Sequence, residues 1–280
     1  MTLQTILKLG RVSNLPTVWT NALAGAVLTG QGSLPVVVVS GLALTLFYTG
    51  GMWLNDAFDA EIDARERANR PIPMGEIGVG VVFAGGFALL GLGVALAFLM
   101  GQTAGLVGIA LAIAIVLYDW LHKRTALSPV IMGVTRFFCY LLPGAAIGAL
   151  VGPVILGGIG LLAYVVGLTF AAKKEAYDRL DTVWPLAVLA IPLLYALVQT
   201  GFGLLAMLIW AALLAVILMA LRLLMRRARG DVPKAVVTMI AGISLYDAVL
   251  IAGAGHGLLA LLAVAGFAGT LALQRLVAGT

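Results

Sequence analysis

The chain has 280 residues, of which 62% are hydrophobic and 10% charged, with a net charge of +5 and a mean hydropathy of +1.11. A soluble chain carries about 25% charged residues, so 17 Lys and Arg with 12 Asp and Glu cannot cover a water-facing surface of this size. That excludes a soluble enzyme and a disordered tail, and the one cysteine, Cys139, excludes a disulfide scaffold.

The positive balance does not point to nucleic acid, because no soluble basic domain exists to carry it. Lys and Arg read instead as markers of the cytoplasmic side of a membrane protein, whose surrounding partner is the lipid bilayer. The 35 Gly suit membrane helices that approach closely.

Lys8 and Arg11 precede an apolar stretch in the manner of a signal peptide. More membrane segments follow, so that stretch reads as a retained first span. The apolar runs predict ten spans, each near the ~20 residues a bilayer requires: 14–29, 34–54, 79–100, 105–120, 129–150, 154–172, 183–200, 204–225, 234–252 and 258–276. The expected fold is all-α, a single polytopic domain over 1–280 with nine or ten transmembrane helices around a central cavity under a cytoplasmic cap.

The connections sort by charge. Turns at 31–33, 101–103, 151–153, 201–203 and 253–256 contain no Lys, Arg, Asp or Glu. The N-terminal segment, 55–78, 122–128, 173–182, 222–234 and Arg275 carry every Lys and Arg except Arg136. The positive-inside rule places that face, with both termini, in the cytoplasm, and an even span count agrees. The localisation expected is the bacterial or archaeal cytoplasmic membrane.

The strongest chemical signal is Asn55-Asp56-Ala57-Phe58-Asp59-Ala60-Glu61-Ile62-Asp63. If the second helix continues through it, Asn55, Asp59 and Asp63 recur at i, i+4 and i+8 along one face. Such a stripe of oxygens repels itself unless a cation intervenes, and Mg²⁺ takes hard oxygens while recruiting substrate phosphates. The alternative is a solvated helix whose acids pair with Arg65 and Arg67. Next comes Arg70-Pro71-Ile72-Pro73-Met74-Gly75, which stops the helix. Arg65, Arg67 and Arg70 could contact phosphate or serve only as flanking charges.

A second cluster, Lys173-Lys174-Glu175-Ala176-Tyr177-Asp178-Arg179-Leu180-Asp181, follows the sixth span on the same face. Asp178 and Asp181 form an i, i+3 pair. Two facing carboxylate clusters could hold a diphosphate through Mg²⁺. Lys123 and Arg124 are further candidate phosphate ligands, and His122 reads as interfacial.

Two ionisable residues lie inside spans, where function is the default hypothesis. Arg136, near Tyr140, either faces the cavity and binds an anion or snorkels to the cytoplasm. Asp247 lies deeper, as a general base, a partner for Arg136 or a structural acid.

These residues resemble the UbiA superfamily of intramembrane prenyltransferases. Asn55, Asp56, Asp59 and Asp63, followed by Arg70-Pro71-Ile72-Pro73-Met74-Gly75, match the family's first motif and the turn after it. Tyr118…Lys123-Arg124-Thr125 and Gly133…Arg136 are also similar. The family's second motif is usually Asp-x3-Asp, and Asp178-x2-Asp181 departs from it; a tenth span exceeds the usual nine.

The resemblance implies a helical bundle open sideways to lipid that binds an isoprenyl or polyprenyl diphosphate with Mg²⁺. Residues and resemblance together give the candidate site. Its catalytic carboxylates are Asp59, Asp63 and Asp178, and its metal ligands are Asn55, Asp56, Asp59, Asp63, Asp178 and Asp181. Diphosphate contacts come from Asn55, Arg65, Arg70, Lys123, Arg124 and Lys174, and the cavity or acceptor side from Arg136, Tyr140, Tyr118 and Asp247. The implied reaction ionises an allylic diphosphate and passes the prenyl group to an unidentified acceptor. A cyclase on the same scaffold and a non-catalytic polyprenyl-phosphate carrier are the rival readings.

Overall fold

The computed structural model describes residues 2–172 and 184–277. The helices run in order as α1 (Leu3–Leu9), α2 (Leu15–Val27), α3 (Leu34–Phe58), α4 (Ala60–Glu66), α5 (Val79–Leu99), α6 (Gln102–Leu121), α7 (Ser128–Ala146) and α8 (Gly152–Ala172). After them come α9 (Ala190–Gln199), entered by the 3₁₀ turn Trp184–Leu189, then α10 (Leu204–Arg226), α11 (Asp231–Gly253) and α12 (Gly257–Gln274). No strand occurs among the described residues.

Each of the ten predicted spans coincides with a helix, but among the described residues only eight helices are long and apolar enough to cross a membrane. The exceptions are α2, with 13 residues, and α9, with 10. Thirteen residues rise only ~20 Å, short of a ~30 Å hydrocarbon core. Hydropathy alone could not separate these two from true spans, because α2 is apolar for another reason. Nearly every residue from Thr17 to Val27 is buried, enclosed by α3, α7, α11 and α12. It is a core element, not a lipid-facing one.

The outward faces carry exposed Leu92, Leu106, Leu208, Leu218 and Leu261, which suits a hydrocarbon solvent. Inside are two packed regions. One joins α7, α8, α10 and α11 around Tyr140, Tyr164 and Tyr246. The other joins α2, α3, α5 and α6 around Leu44, Phe47 and Leu111. Residues of both line one cavity of about 500 Å³.

Close helix approach is set by glycine. A Cβ at Gly50 would lie 2.9 Å from the Gly86 carbonyl oxygen, and one at Gly158 would lie 2.8 Å from the Phe137 ring. At Gly25 it would meet the Tyr140 carbonyl oxygen at 2.6 Å and Pro143 Cγ at 2.7 Å. At Gly50 and Gly25 those neighbours are backbone and proline-ring atoms, which cannot rotate away. Gly25→Val should therefore lower the thermal unfolding midpoint in detergent by the equivalent of about 1–3 kcal/mol. A midpoint equal to wild type would show that α2 and α7 can separate without cost.

Candidate functional site

The sequence motif behaves as its spacing predicts, with one adjustment. Helix α3 caps at Asp59 and α4 restarts at Ala60. The helical register still carries through the junction, because Asp59 N–H donates to Asn55 O at 3.0 Å and Asp63 N–H to Asp59 O at 2.8 Å. Asn55, Asp59 and Asp63 stay on one face, and all three are buried, as is Asp56. A solvated helix is thereby ruled out.

The acids are neutralised from unexpected directions. Arg70 Nη1 donates to Asp56 Oδ1 at 2.9 Å and to Asp63 Oδ2 at 2.8 Å. Arg11 Nη2 donates to Asp56 Oδ1 at 3.0 Å and to Asn55 Oδ1 at 3.2 Å. Arg11 reaches them from a left-handed backbone, φ 41°, a conformation that costs a non-glycine residue ~1 kcal/mol or more. The turn after Arg70 closes through Met74 N–H to Arg70 O at 3.0 Å. It is clipped to α1 where Thr5 Oγ1 donates to Glu76 Oε2 at 2.6 Å.

The end of α6 supplies a second wall. Asn55 Nδ2 donates to Asp119 Oδ1 at 3.1 Å, while Asp119 Oδ2 is buried with no hydrogen-bond partner. His122 Nε2 lies 3.1 Å from Asp59 Oδ2, its Nδ1 lies 3.0 Å from Asp119 O, and Lys123 Nζ lies 3.7 Å from Asp59. These contacts split two neighbouring carboxyls. Burial pushes the Asp59 pKa up, but the His122 hydrogen bond and charge, with Lys123 and Arg70, hold it below the ordinary range. Burial lifts Asp63, and Arg70 does not fully offset it, so its pKa lies above the ordinary value.

Beneath this polar mouth the cavity turns apolar along Leu44, Phe47, Leu111, Ile115, Val165 and Ile243. Tyr118, Tyr48 and Arg136 also line it, and the Arg136 guanidinium lies 5.8 Å from the centre of the Tyr48 ring. Arg136 faces the cavity and does not snorkel.

Of the candidate residues, Asn55, Asp59, Arg70, Lys123, Tyr118 and Arg136 line the cavity. Asp56 and Asp63 attach to them through Arg70 and Arg11. Arg65 and Arg124 are exposed, and Arg124 lies against Trp120 at 5.9 Å, so neither joins the site. Tyr140 and Asp247 are fully buried behind the wall and do not line the cavity. Lys174, Asp178 and Asp181 lie outside the described residues. Sequence reasoning missed Arg11, His122, Asp119 and Asn21. The signal for Asp119 and Asn21 was available, since each is a polar side chain in an apolar helix.

Among the described residues no three carboxylate, imidazole or thiol groups converge on one point as a closed metal cage. The donor set nonetheless suits a hard cation whose shell is completed by phosphate oxygens and water, as Mg²⁺ prefers. Asn55, Asp56, Asp59, Asp63 and Asp119 offer only oxygen, and the unpartnered Asp119 Oδ2 is the atom a cation would satisfy.

The profile of the UbiA prenyltransferase family matches residues 15–241. Digeranylgeranylglyceryl phosphate synthase of Methanothermobacter thermautotrophicus is 29% identical over 154 residues, covering 55% of this chain and 53% of the relative. The Sulfolobus acidocaldarius enzyme of that name is 27% identical over 194 residues, covering 67% and 70%. The chain spans about half the length of the first curated relatives it matches. Among solved structures, a UbiA homolog from Aeropyrum pernix K1 aligns with TM-score 0.69 at 19% identity, over 86% of this chain and 97% of that one. A UbiA homolog from Archaeoglobus fulgidus bound to GPP and Mg²⁺ aligns with TM-score 0.55 at 16% identity, over 97% and 99%. At these identities the likeness establishes the fold.

The opposed shifts of Asp59 and Asp63 give opposite stability signs without divalent cation. A carboxyl lowered in the fold adds stability above its unfolded pKa of ~3.9 and loses it as pH falls through the folded value. A raised carboxyl loses stability as pH rises through its folded value. In chelator at pH 7, Asp59→Asn should therefore lower the unfolding temperature and Asp63→Asn should raise it, both differences shrinking toward pH 4. Shifts of the same sign at pH 7 would contradict the assignment.

Proposed function

The chain belongs to the UbiA prenyltransferase family, and from that premise we propose that it transfers a prenyl group from an isoprenoid diphosphate to an acceptor inside the membrane. The observation that carries this reading is a ring of buried carboxylates interleaved with guanidinium groups at the mouth of an apolar cavity. A diphosphate with a long hydrocarbon tail has that polarity. The cavity, about 500 Å³, falls in the range of small-molecule sites.

Asn55, Asp56, Asp59, Asp63 and Asp119 would hold Mg²⁺, which supplies charge neutralisation of the leaving diphosphate when bound. Arg11, Arg70 and Lys123 take phosphate oxygens by the fork and point-charge contacts such side chains favour. As each guanidinium turns to phosphate, it releases the carboxylate it now neutralises. Loss of the C1–O bond leaves an allylic cation below the mouth, where Tyr118, Tyr48 and Phe47 offer aromatic faces. The apolar wall keeps out water that would quench it.

The acceptor then attacks C1 and gives up a proton. The names of the relatives support a prenylated glyceryl phosphate as the first acceptor to try. The charge pattern of the loops supports a cap facing the cytoplasm.

Purified protein incubated with labelled C5 to C20 isoprenoid diphosphates, Mg²⁺ and a lipid extract should form a prenylated product and release diphosphate. Asp59→Ala or Asp63→Ala should reduce release at least ~100-fold. Release unchanged in both would remove the assignment; release without acceptor would indicate cyclisation or hydrolysis, and tight binding without release a carrier.

A further inference from the structure

Behind the cavity wall a polar relay crosses three helices. Arg136 Nη1 on α7 donates to Asn21 Oδ1 on α2 at 2.9 Å. Asn21 Nδ2 donates to Asp247 Oδ2 on α11 at 2.8 Å. The Tyr140 hydroxyl donates to Asp247 Oδ1 at 2.5 Å. Asn21, Asp247 and Tyr140 are fully buried, and of the four only Arg136 reaches the cavity.

We propose that Asp247 is a positioning residue: acting through Asn21, it fixes the Arg136 guanidinium at the cavity wall for the prenyl transfer. The inference rests on the function proposed above.

Its basis is the one-sided chemistry at each end of an amide. A guanidinium only donates, and an ionised carboxylate only accepts. Asn21 between them has one allowed orientation, with oxygen toward Arg136 and nitrogen toward Asp247. Turning the amide over would set donor against donor and acceptor against acceptor at two fully buried side chains, Asn21 and Asp247. The carboxylate thus dictates which atom Arg136 meets, although Asn21 stands between them. The Tyr48 ring, 5.8 Å away, borders the guanidinium as well.

Position matters because of what lies above. Tyr48 and Asn55 are seven residues apart on α3, about 10 Å along the axis, so Arg136 occupies a level below the carboxylate ring. An untethered Arg side chain has many rotamers open to it and would be drawn upward to Asp59 and Asp119. Stability alone does not account for the relay. Replacing a buried charge set by apolar residues is commonly neutral or stabilising, and an acid deep in a membrane span is costly.

The test is a double-mutant cycle on the full chain, with turnover of a labelled isoprenoid diphosphate and thermal unfolding read in parallel. Asp247→Asn should lower kcat/KM about tenfold, the usual scale for an outer-shell partner. Arg136→Ala should lower it at least as far, and the double variant should match Arg136→Ala within about twofold, since Asp247 acts only through that cation. Asn21→Ala breaks the relay at its centre and serves if Asp247→Asn does not fold; Asn21→Asp, which restores an acceptor oxygen, should recover part of the rate. Losses that multiply in the double variant, or an Asp247→Asn enzyme as fast as wild type, overturn the proposal. Absence of turnover in the wild type would instead sink the proposed function. The same cycle on unfolding temperature then decides the relay: coupling of Asp247 to Arg136 that vanishes in Asn21→Ala supports it, and additivity overturns it.

Discussion

The structure depends on keeping buried carboxylates charged where a membrane protein meets its hydrocarbon. Four acids, Asp56, Asp59, Asp63 and Asp119, are withdrawn from solvent around one cavity mouth. Each would be costly alone. Arg11, Arg70, His122 and Lys123 reduce that cost for Asp56, Asp59 and Asp63 from three separate chain segments, and Asn55 donates to Asp119. This requirement ties together the α1 region, the α3–α4 junction, the proline-rich turn and the end of α6. The cap is thus an electrostatic assembly first and a packed one second, with Leu9, Ala57, Ile77 and Val82 as its small apolar seal.

The same rule operates at a different depth within the bundle. At the mouth, cations meet acids directly, and under the proposed function they would exchange them for phosphate. Below it, Arg136 meets its acid through an amide, and both amide and acid are fully enclosed. The upper contacts are built to be exchanged, the lower ones to stay. The proposed function would need each kind, one set to admit a charged headgroup and one to hold a fixed cation in the cavity wall.

Much of this was legible in the residues. Apolar run lengths located ten of the twelve α-helices among the described residues, all but α1 and α4, and charge placement marked the polar face. The acidic stripe with its following Arg-Pro turn pointed to the site. What stayed hidden was hidden for physical reasons. Arg11 reads as a flanking charge because nothing local records that a left-handed residue aims it at Asp56. Helix α2 reads as a span because burial in protein and burial in lipid select the same apolar side chains. Arg65 and Arg70 look equivalent five residues apart, yet the turn leaves one in solvent and folds the other onto two acids. Asn21 is a single amide in an apolar helix, and only the partners brought by α7 and α11 give it meaning.

Asn14 lines the cavity, and its side-chain oxygen accepts from Gln274 Nε2 at 2.5 Å. The partners are separated by 260 residues; Asn21 and Asp247 are separated by 226. During synthesis the first wall of the cavity therefore enters the membrane long before the residues that fasten it exist. Until α11 and α12 are inserted, the α2 region lacks the partners that Asp247 and Gln274 supply. Closure of this wall thus waits on α11 and α12, which bring Asp247 to Asn21 and Gln274 to Asn14.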